Sequence, residues 1–385
     1  MDKRIIPISL PVTGEEEWNA LKEPLTSGWL TSGPKVRTFE SAFAERHQVK
    51  YAVAVTSATT ALHLALIALD IKAGDEVIVP AFTWVSTANV VLYQGAKVVF
   101  CDIDNKTFNI DPTKLADKIT PNTKAIMVVH LFGLCAPMDE IKSISGEIPL
   151  IEDGACAAGS AYKGVPAGGL GLMGCFSFHP RKSITTGEGG MITTNDDTLG
   201  TRLQVLRNHG ASVSEEQRHH GPKPYILPDF NVLGYNYRMT DLQGAIGTVQ
   251  LKKLDHFINE RAQWASFYLK ELASIPWITL PEFSNDYSHG WQSFVLLIDE
   301  SESPKSRNQI MEELQDQGIS TRPGTHAVHM LSFYARKYDI APEDYPGAQI
   351  ANDKSISIPL HNRMVKEDFE YIVQCIKRIW KTKKV

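Results

Sequence analysis

Between residues 50 and 195 two apolar patterns alternate. Short runs with few polar positions, YAVAVT (51–56), DEVIVP (75–80), KVVFCDID (97–104), KAIMVVHLFG (124–133) and IPLIED (148–153), are separated by stretches with helical spacing, among them ATTALHLALIAL (58–69) and STANVVLYQG (86–95). Runs that do not alternate suit strands covered by helices on both faces, so this part predicts a mainly parallel α/β sheet. GCFSF (174–178) and GGMITTN (189–195) predict two further strands. From Met239 to Ser274 the pattern changes. Leu242, Ala245, Ile246, Val249, Leu254, Phe257, Ile258, Ala265 and Leu269 recur at three- and four-residue steps, which predicts one long amphipathic helix. A strand at SFVLLID (293–299), a helix near 305–317 and a terminal helix in KEDFEYIVQCIKRIW complete a smaller α+β unit. The expected division is residues 1–250 for an N-terminal segment with the large domain and 251–385 for the small one.

Composition adds exclusions. The chain has 385 residues, enough for one to three domains and for a core that needs no disulfides. A net charge of −5 argues against a nucleic-acid-coating protein. Five scattered cysteines without a C-x-x-C pair argue against a zinc site and suit a reducing compartment. The apolar run 5–10 is short and broken by Pro7, and no stretch is long enough to span a membrane. A cytoplasmic protein is expected.

Four features carry candidate chemistry. VTSATTALHLAL places Ser and Thr hydroxyls and free first-turn N–H groups at a strand-to-helix junction. Taken alone that is N-capping by Ser57 or Thr59; in company with the features that follow it is a phosphate cradle. Asp153 ends a strand and is followed by small residues, the place where parallel sheets hold ligands; a helix-capping aspartate would look the same. Trp84, just past another strand, offers a flat stacking surface or core packing. Lys182 stands alone in SFHPRKSITTGEGG (177–190), as a surface lysine in a hairpin or as a nucleophile toward a carbonyl. GLGLMG (169–174) matches G-x-G-x-x-G but lacks a strand before it and a helix after it, so it predicts a loop. No carboxylate and histidine cluster has metal-ligand spacing. A phosphate site, a strand-end acid, an aromatic plate and an isolated lysine are the four things pyridoxal phosphate needs.

At this point the sequence resembles the sugar aminotransferases of the DegT/DnrJ/EryC1/StrS type over nearly its whole length. The resemblance runs through SGWLTSGPKVRTFE (27–40), TSATTALHLAL, DEVIVPAFTWVSTANVV, IEDGACA, CFSFHPRKSITTGEGGMITTN and GYNYRMTDLQGAIG (234–247). It implies the three-layer, aspartate-aminotransferase-like architecture of fold-type I pyridoxal phosphate enzymes. It also implies roles: Lys182 as covalent anchor and proton shuttle, Asp153 against the pyridine nitrogen, and Trp84 stacked on the ring. Ser177 and the backbone at Ala58 and Thr59 would hold the phosphate. Asn236 would reach the cofactor phosphate of the partner subunit in a homodimer with shared sites. The implied reaction moves an amino group from L-glutamate to a keto or aldehyde sugar, a nucleotide-linked keto-hexose in most relatives, for surface polysaccharide. Amination of an oxidised sugar acid such as an octulosonic acid, or sugar dehydration on the same scaffold, is the alternative. Members with histidine in place of the lysine are dehydratases; Lys182 argues for transfer. Ala58 stands where glycine is frequent, and Cys156 where histidine or glutamine is frequent. Trp29 and Lys35 in the N-terminal loop, with His326 and His329 in TRPGTHAVH (321–329), are expected to shape the sugar pocket. Arg322 beside them is either an anion contact or a loop residue.

Overall fold

In the computed structural model the described residues are 5–212, 225 and 227–381. Its central element is a seven-stranded sheet built from β1 (Tyr51–Val55), β2 (Glu76–Pro80), β3 (Lys97–Cys101), β4 (Thr123–Val129), β5 (Leu150–Asp153), β6 (Met173–Ser177) and β7 (Gly190–Thr194). The spatial order is β1-β7-β6-β5-β4-β2-β3. All neighbours run parallel except β7, which is antiparallel to both β1 and β6. Unbroken apolar runs arise because both faces are covered. On β4, Ala125, Met127 and Val129 enter one core while Ile126 and Val128 enter the other. The run 124–133 is not one strand. β4 ends at Val129, and the chain turns through Leu131–Gly133, with Phe132 and Gly133 at positive φ.

Helix α1 (Pro34–Arg46) covers one face and α2 (Ala58–Ala68) the other. After α3 (Ser86–Tyr93) and α4 (Asp197–Leu206) comes α5 (Asp241–Leu272), the long helix, capped by the Thr240 hydroxyl on Gln243 N–H. This helix runs unbroken through residue 250. Its early turns lie on α1, where Gly247 leaves room for the Phe39 ring, and its later residues Ala265, Tyr268 and Leu272 join a third core. That core is completed by a three-stranded antiparallel sheet of β8 (Ile278–Thr279), β9 (Phe294–Ile298) and β10 (Ser355–Ile358), and by the terminal helix α6 (Lys366–Lys381). Ile6 also lies in it, paired with Ile319. Among the described residues no helix is long and apolar enough to cross a membrane, and no group of three His, Cys, Asp or Glu side chains could hold a metal ion.

Candidate active site

The parallel strands end together on one side of the sheet, and the antiparallel β7 begins there. Its first residue, Gly190, pairs with Val55 of β1 on one side and with Ser177 of β6 on the other. The Ser57–Thr60 turn and Ser177 therefore flank the same glycine. A Cβ on Gly190 would lie 2.4 Å from the Ser57 carbonyl oxygen and 2.8 Å from the Ala58 nitrogen, so only glycine lets strand and turn approach this closely. In the turn Ser57 is the cap. Its Oγ accepts from Thr60 N–H at 3.1 Å, while Thr60 Oγ1 accepts from Ser57 N–H at 3.0 Å. The first intrahelical bond runs from Ala61 N–H to the Ser57 carbonyl, so the N–H groups of Ala58 and Thr59 precede it and point out of the helix start. Thr59 Oγ1 is 2.9 Å from Ser86 Oγ at the start of α3. Ser177 is buried and its Oγ meets His179 N–H at 3.4 Å. Capping and cradle readings of this turn thus coexist: Ser57 caps, and the N–H groups beyond it face outward.

Asp153 is the last residue of β5 and is 5% exposed. Its Oδ2 accepts from Thr87 Oγ1 at 2.8 Å, and its Oδ1 from Ala155 N–H at 3.2 Å. Thr87 is itself 3.0 Å from Thr83 Oγ1. Burial pushes the Asp153 carboxyl above its ordinary value; the Thr87 hydroxyl, the Ala155 N–H and the charge of Lys182 work in the opposite direction. The neighbouring acid has another job. Glu152 points to the other face, where it accepts from Gly168 N–H at 2.6 Å, Gly171 N–H at 2.5 Å and His130 Nε2 at 2.8 Å. Because His130 Nδ1 accepts from Ala136 N–H, its proton sits on Nε2 and is donated to Glu152. The G-x-G-x-x-G look-alike is thereby explained: Gly169 and Gly171 lie in a loop tied to Glu152, and Gly174 is already in β6, so the motif leads into a strand, not into a helix.

Lys182 lies in the hairpin between β6 and β7, its N–H bonded to the His179 carbonyl at 2.8 Å. Gln292 Nε2 holds the adjacent Arg181 carbonyl at 3.0 Å. The side chain is half-buried, and Nζ is 3.1 Å from Cys156 Sγ. Trp84 is 59% exposed, unlike a core residue. The strand before it, Phe82–Thr83, pairs with His326–Ala327, which brings the exposed His326 edge-on to Trp84 with ring centroids 5.4 Å apart.

The other expected residues are held by contacts of their own. His329 is buried against Phe100 and Tyr345, its Nε2 3.1 Å from the Pro342 carbonyl. Lys35 Nζ is paired with Glu23, and its backbone N–H, with those of Gly33 and Val36, is held by Asp241. Trp29 folds over Gly33, where any Cβ would collide with its indole. Arg322 is exposed and bonds the Thr321 carbonyl. Asn236 is exposed on a segment whose neighbour Arg238 bridges to Val55 at the free edge of β1, and the flanking Tyr235 and Tyr237 rings stack at 5.1 Å. Sequence reasoning missed Thr87, Gly190 and Gln292. For Thr87 a signal existed: a threonine in the first turn of the helix that follows Trp84.

These residues fit pyridoxal phosphate. The strand–turn contact at Gly190 leaves a cradle of outward N–H groups, a buried carboxylate waits at a strand end, and a primary amine shares the region. Fold and site define a pyridoxal phosphate enzyme of fold-type I. The profile of the DegT/DnrJ/EryC1/StrS aminotransferase family matches residues 11–377, and the chain belongs to that family: it is a pyridoxal phosphate-dependent transaminase. Among its relatives, the spore coat polysaccharide biosynthesis protein SpsC of Bacillus subtilis is 38% identical over 379 residues, 98% of this chain and 97% of the relative. Among solved structures, the putative sugar aminotransferase Spr1654 of Streptococcus pneumoniae, in its PMP-form, superposes with a TM-score of 0.90 at 29% identity over 98% of both chains. PseC of Helicobacter pylori, an aminotransferase involved in the biosynthesis of pseudoaminic acid, does so with a TM-score of 0.90 at 27% identity, covering 98% of this chain and 100% of that one.

Proposed function

We propose that this transaminase moves an amino group from L-glutamate to the keto or aldehyde carbon of a sugar, a nucleotide-linked keto-hexose, in amino-sugar biosynthesis for surface polysaccharide. We place the reaction in the cytoplasm and in a homodimer whose sites are shared. The observation that carries the reading is the convergence of Lys182, buried Asp153 and the Gly190-backed turn at one end of the sheet. The names of SpsC, Spr1654 and PseC support the sugar as acceptor.

Pyridoxal phosphate, when bound, supplies an aldehyde that captures amines and a ring that draws in the electron pair released at the donor carbon. The chain supplies the rest. Lys182 Nζ would anchor the cofactor and, once freed from it, would move the proton taken from the donor's α-carbon. The Asp153 carboxylate, steadied by Thr87 and Ala155, holds the proton on the ring nitrogen. Ser177 and the N–H groups of Ala58 and Thr59 would hold the phosphate, Trp84 would stack on the ring, and Asn236 would reach the phosphate of the partner subunit's cofactor. His326, beside Trp84, meets the sugar.

The test has two stages. Mixing the cofactor-loaded protein with glutamate converts its absorbance to that of the aminated cofactor. A thermal-shift screen then sets nucleotide sugars against free sugar acids, followed by turnover of each hit. Stabilisation by nucleotide sugars and their amination is the expected result. Response only to octulosonic-type acids assigns the alternative substrate, and water loss without amine transfer assigns a dehydratase. Full activity in Lys182→Ala would overturn the mechanism.

A further inference from the structure

We propose that Gln292, in the loop that leads into β9, is a positioning residue for Lys182, an inference that rests on the role given to that lysine above. Both ends of the peptide unit before the lysine are held. Its N–H, that of Lys182, donates to the His179 carbonyl at 2.8 Å, within the hairpin. Its carbonyl, that of Arg181, accepts from Gln292 Nε2 at 3.0 Å, from outside the hairpin. The unit is planar, so fixing it places the lysine's Cα and leaves one rotation, about N–Cα, to set where the side chain leaves the backbone. The chain beyond is held in turn: Thr185 N–H donates to Gln250 Oε1 at 3.2 Å and Thr186 N–H to the Phe178 carbonyl at 3.0 Å.

Gln292 is itself held. Ser293 Oγ donates to its Oε1 at 3.0 Å, which turns Nε2 toward Arg181; the reverse placement would set oxygen against the Arg181 carbonyl oxygen. Its backbone is clamped from two sides. Arg261 of α5, 4% exposed, donates through Nη1 to the carbonyls of Trp291 at 3.3 Å and Gln292 at 3.4 Å, while its Nε is held by Asn362 at 2.8 Å. From the turn after β4, the Gly133 carbonyl accepts from Gly290 N–H at 2.8 Å and the Phe132 carbonyl from Ser293 N–H at 3.3 Å. The approach is close: a Cβ on Gly133 would lie 2.9 Å from the Trp291 nitrogen. Trp291 keeps a positive φ of 45°, which a bulky residue holds only where its surroundings over-determine it. The loop is thus a fixed post between α5 and the turn after β4, and Gln292 carries its position to the lysine hairpin. The amine must meet first the cofactor aldehyde and then the donor's α-carbon, and both rates fall steeply with misplacement.

Gln292→Glu keeps length and shape but sets an acceptor where the donor was; Gln292→Ala removes both. The first measurement is the rate at which the full chain, stripped of cofactor, captures pyridoxal phosphate, read by absorbance. Both variants should capture about tenfold more slowly than wild type, with thermal unfolding moved by no more than about 1–2 °C. Ser293→Ala should slow capture less, and the double variant Gln292→Ala/Ser293→Ala no more than Gln292→Ala alone, because Ser293 acts through Gln292. The second measurement is the half-reaction with glutamate and with α-deuterated glutamate. Its limiting rate should fall about tenfold while half-saturation by glutamate moves less than about twofold, with an isotope effect at least as large as in wild type. Wild-type capture by Gln292→Glu, slowing that appears only in half-saturation, or an isotope effect smaller than wild type overturns the proposal. Capture by Lys182→Ala at the wild-type rate refutes the role given to Lys182 and this inference with it. A wild type that captures the cofactor but is not aminated by glutamate refutes the proposed donor, and the capture rates then decide the role of Gln292.

Discussion

Thr87→Val tests the acid end of the site most directly. The substitution keeps shape and removes the hydroxyl that donates to Asp153 Oδ2 at 2.8 Å. Asp153 is buried, so no water replaces the lost donor, and the remaining partner is the Ala155 N–H. A hydrogen bond to a charged group contributes about 1.5–3 kcal/mol, and about 1.4 kcal/mol corresponds to one pH unit. Burial already holds this carboxyl above its ordinary value, and losing Thr87 pushes it further in the same direction. The pH below which Asp153 is neutral, and unable to hold a proton on the ring nitrogen, should rise by about one to two pH units. The assay is the pH dependence of the glutamate half-reaction, read from cofactor absorbance in wild type, Thr87→Val and Thr87→Ser. Wild type and Thr87→Ser should share an acid limb, and Thr87→Val should show it displaced upward. An unmoved limb in Thr87→Val, or one moved equally in Thr87→Ser, would refute the assignment of the hydroxyl.

Gly190→Ala forces a methyl to within 2.4 Å of the Ser57 carbonyl oxygen, so strand and turn must part; urea unfolding should show a loss of about 1–3 kcal/mol, and titration a weakened affinity for pyridoxal phosphate. Asp241→Ala strips three backbone N–H groups, those of Gly33, Lys35 and Val36, of their shared acceptor at the start of α1, and should cost about 3 kcal/mol in the same unfolding assay. Burial lowers His47 and His361 to about 4 and His289 to about 3, so each stays neutral in the folded chain but gains a proton on unfolding once the pH is below its free value of 6.5. Stability should therefore fall as pH drops from about 6.5 toward 4, by up to about 1.4 kcal/mol per pH unit for each histidine, and His289→Gln should flatten the slope.

The parts of the site that the chain announced are those with a local signature. Asp153 closes an apolar run and precedes glycine and alanine, and Lys182 stands between two strand-like runs; each singly also fits a helix cap or a surface lysine, and only their combination reads as chemistry. The strands and long helices were legible for the same reason, since a doubly covered sheet writes itself as unbroken apolar runs. The supporting contacts leave no such mark. Thr87 lies 66 residues from Asp153 and Asp241 lies 208 from Gly33, distances at which no periodicity connects the partners. His329 shows the converse failure. A histidine three places after His326 in a polar-looking loop suggests a shared surface, but the turn at Val328–Met330 rolls it inward against Phe100 while His326 stays at Trp84. The role of Glu152 was hidden because alternation along a strand sends adjacent side chains to opposite faces.

The placement of β7 also sets an order of events during synthesis. In the large sheet β1 has one neighbour, and that neighbour is the last of the seven strands to be made, so Tyr51 waits for Thr194 before it is paired. A nascent chain shorter than this carries an open edge with nothing to close it, and closure across so much intervening chain is slow. The same event brings Val55, Gly190 and Ser177 into one cross-strand row and sets the Ser57 carbonyl against Gly190, so the proposed phosphate site is assembled only when the sheet closes.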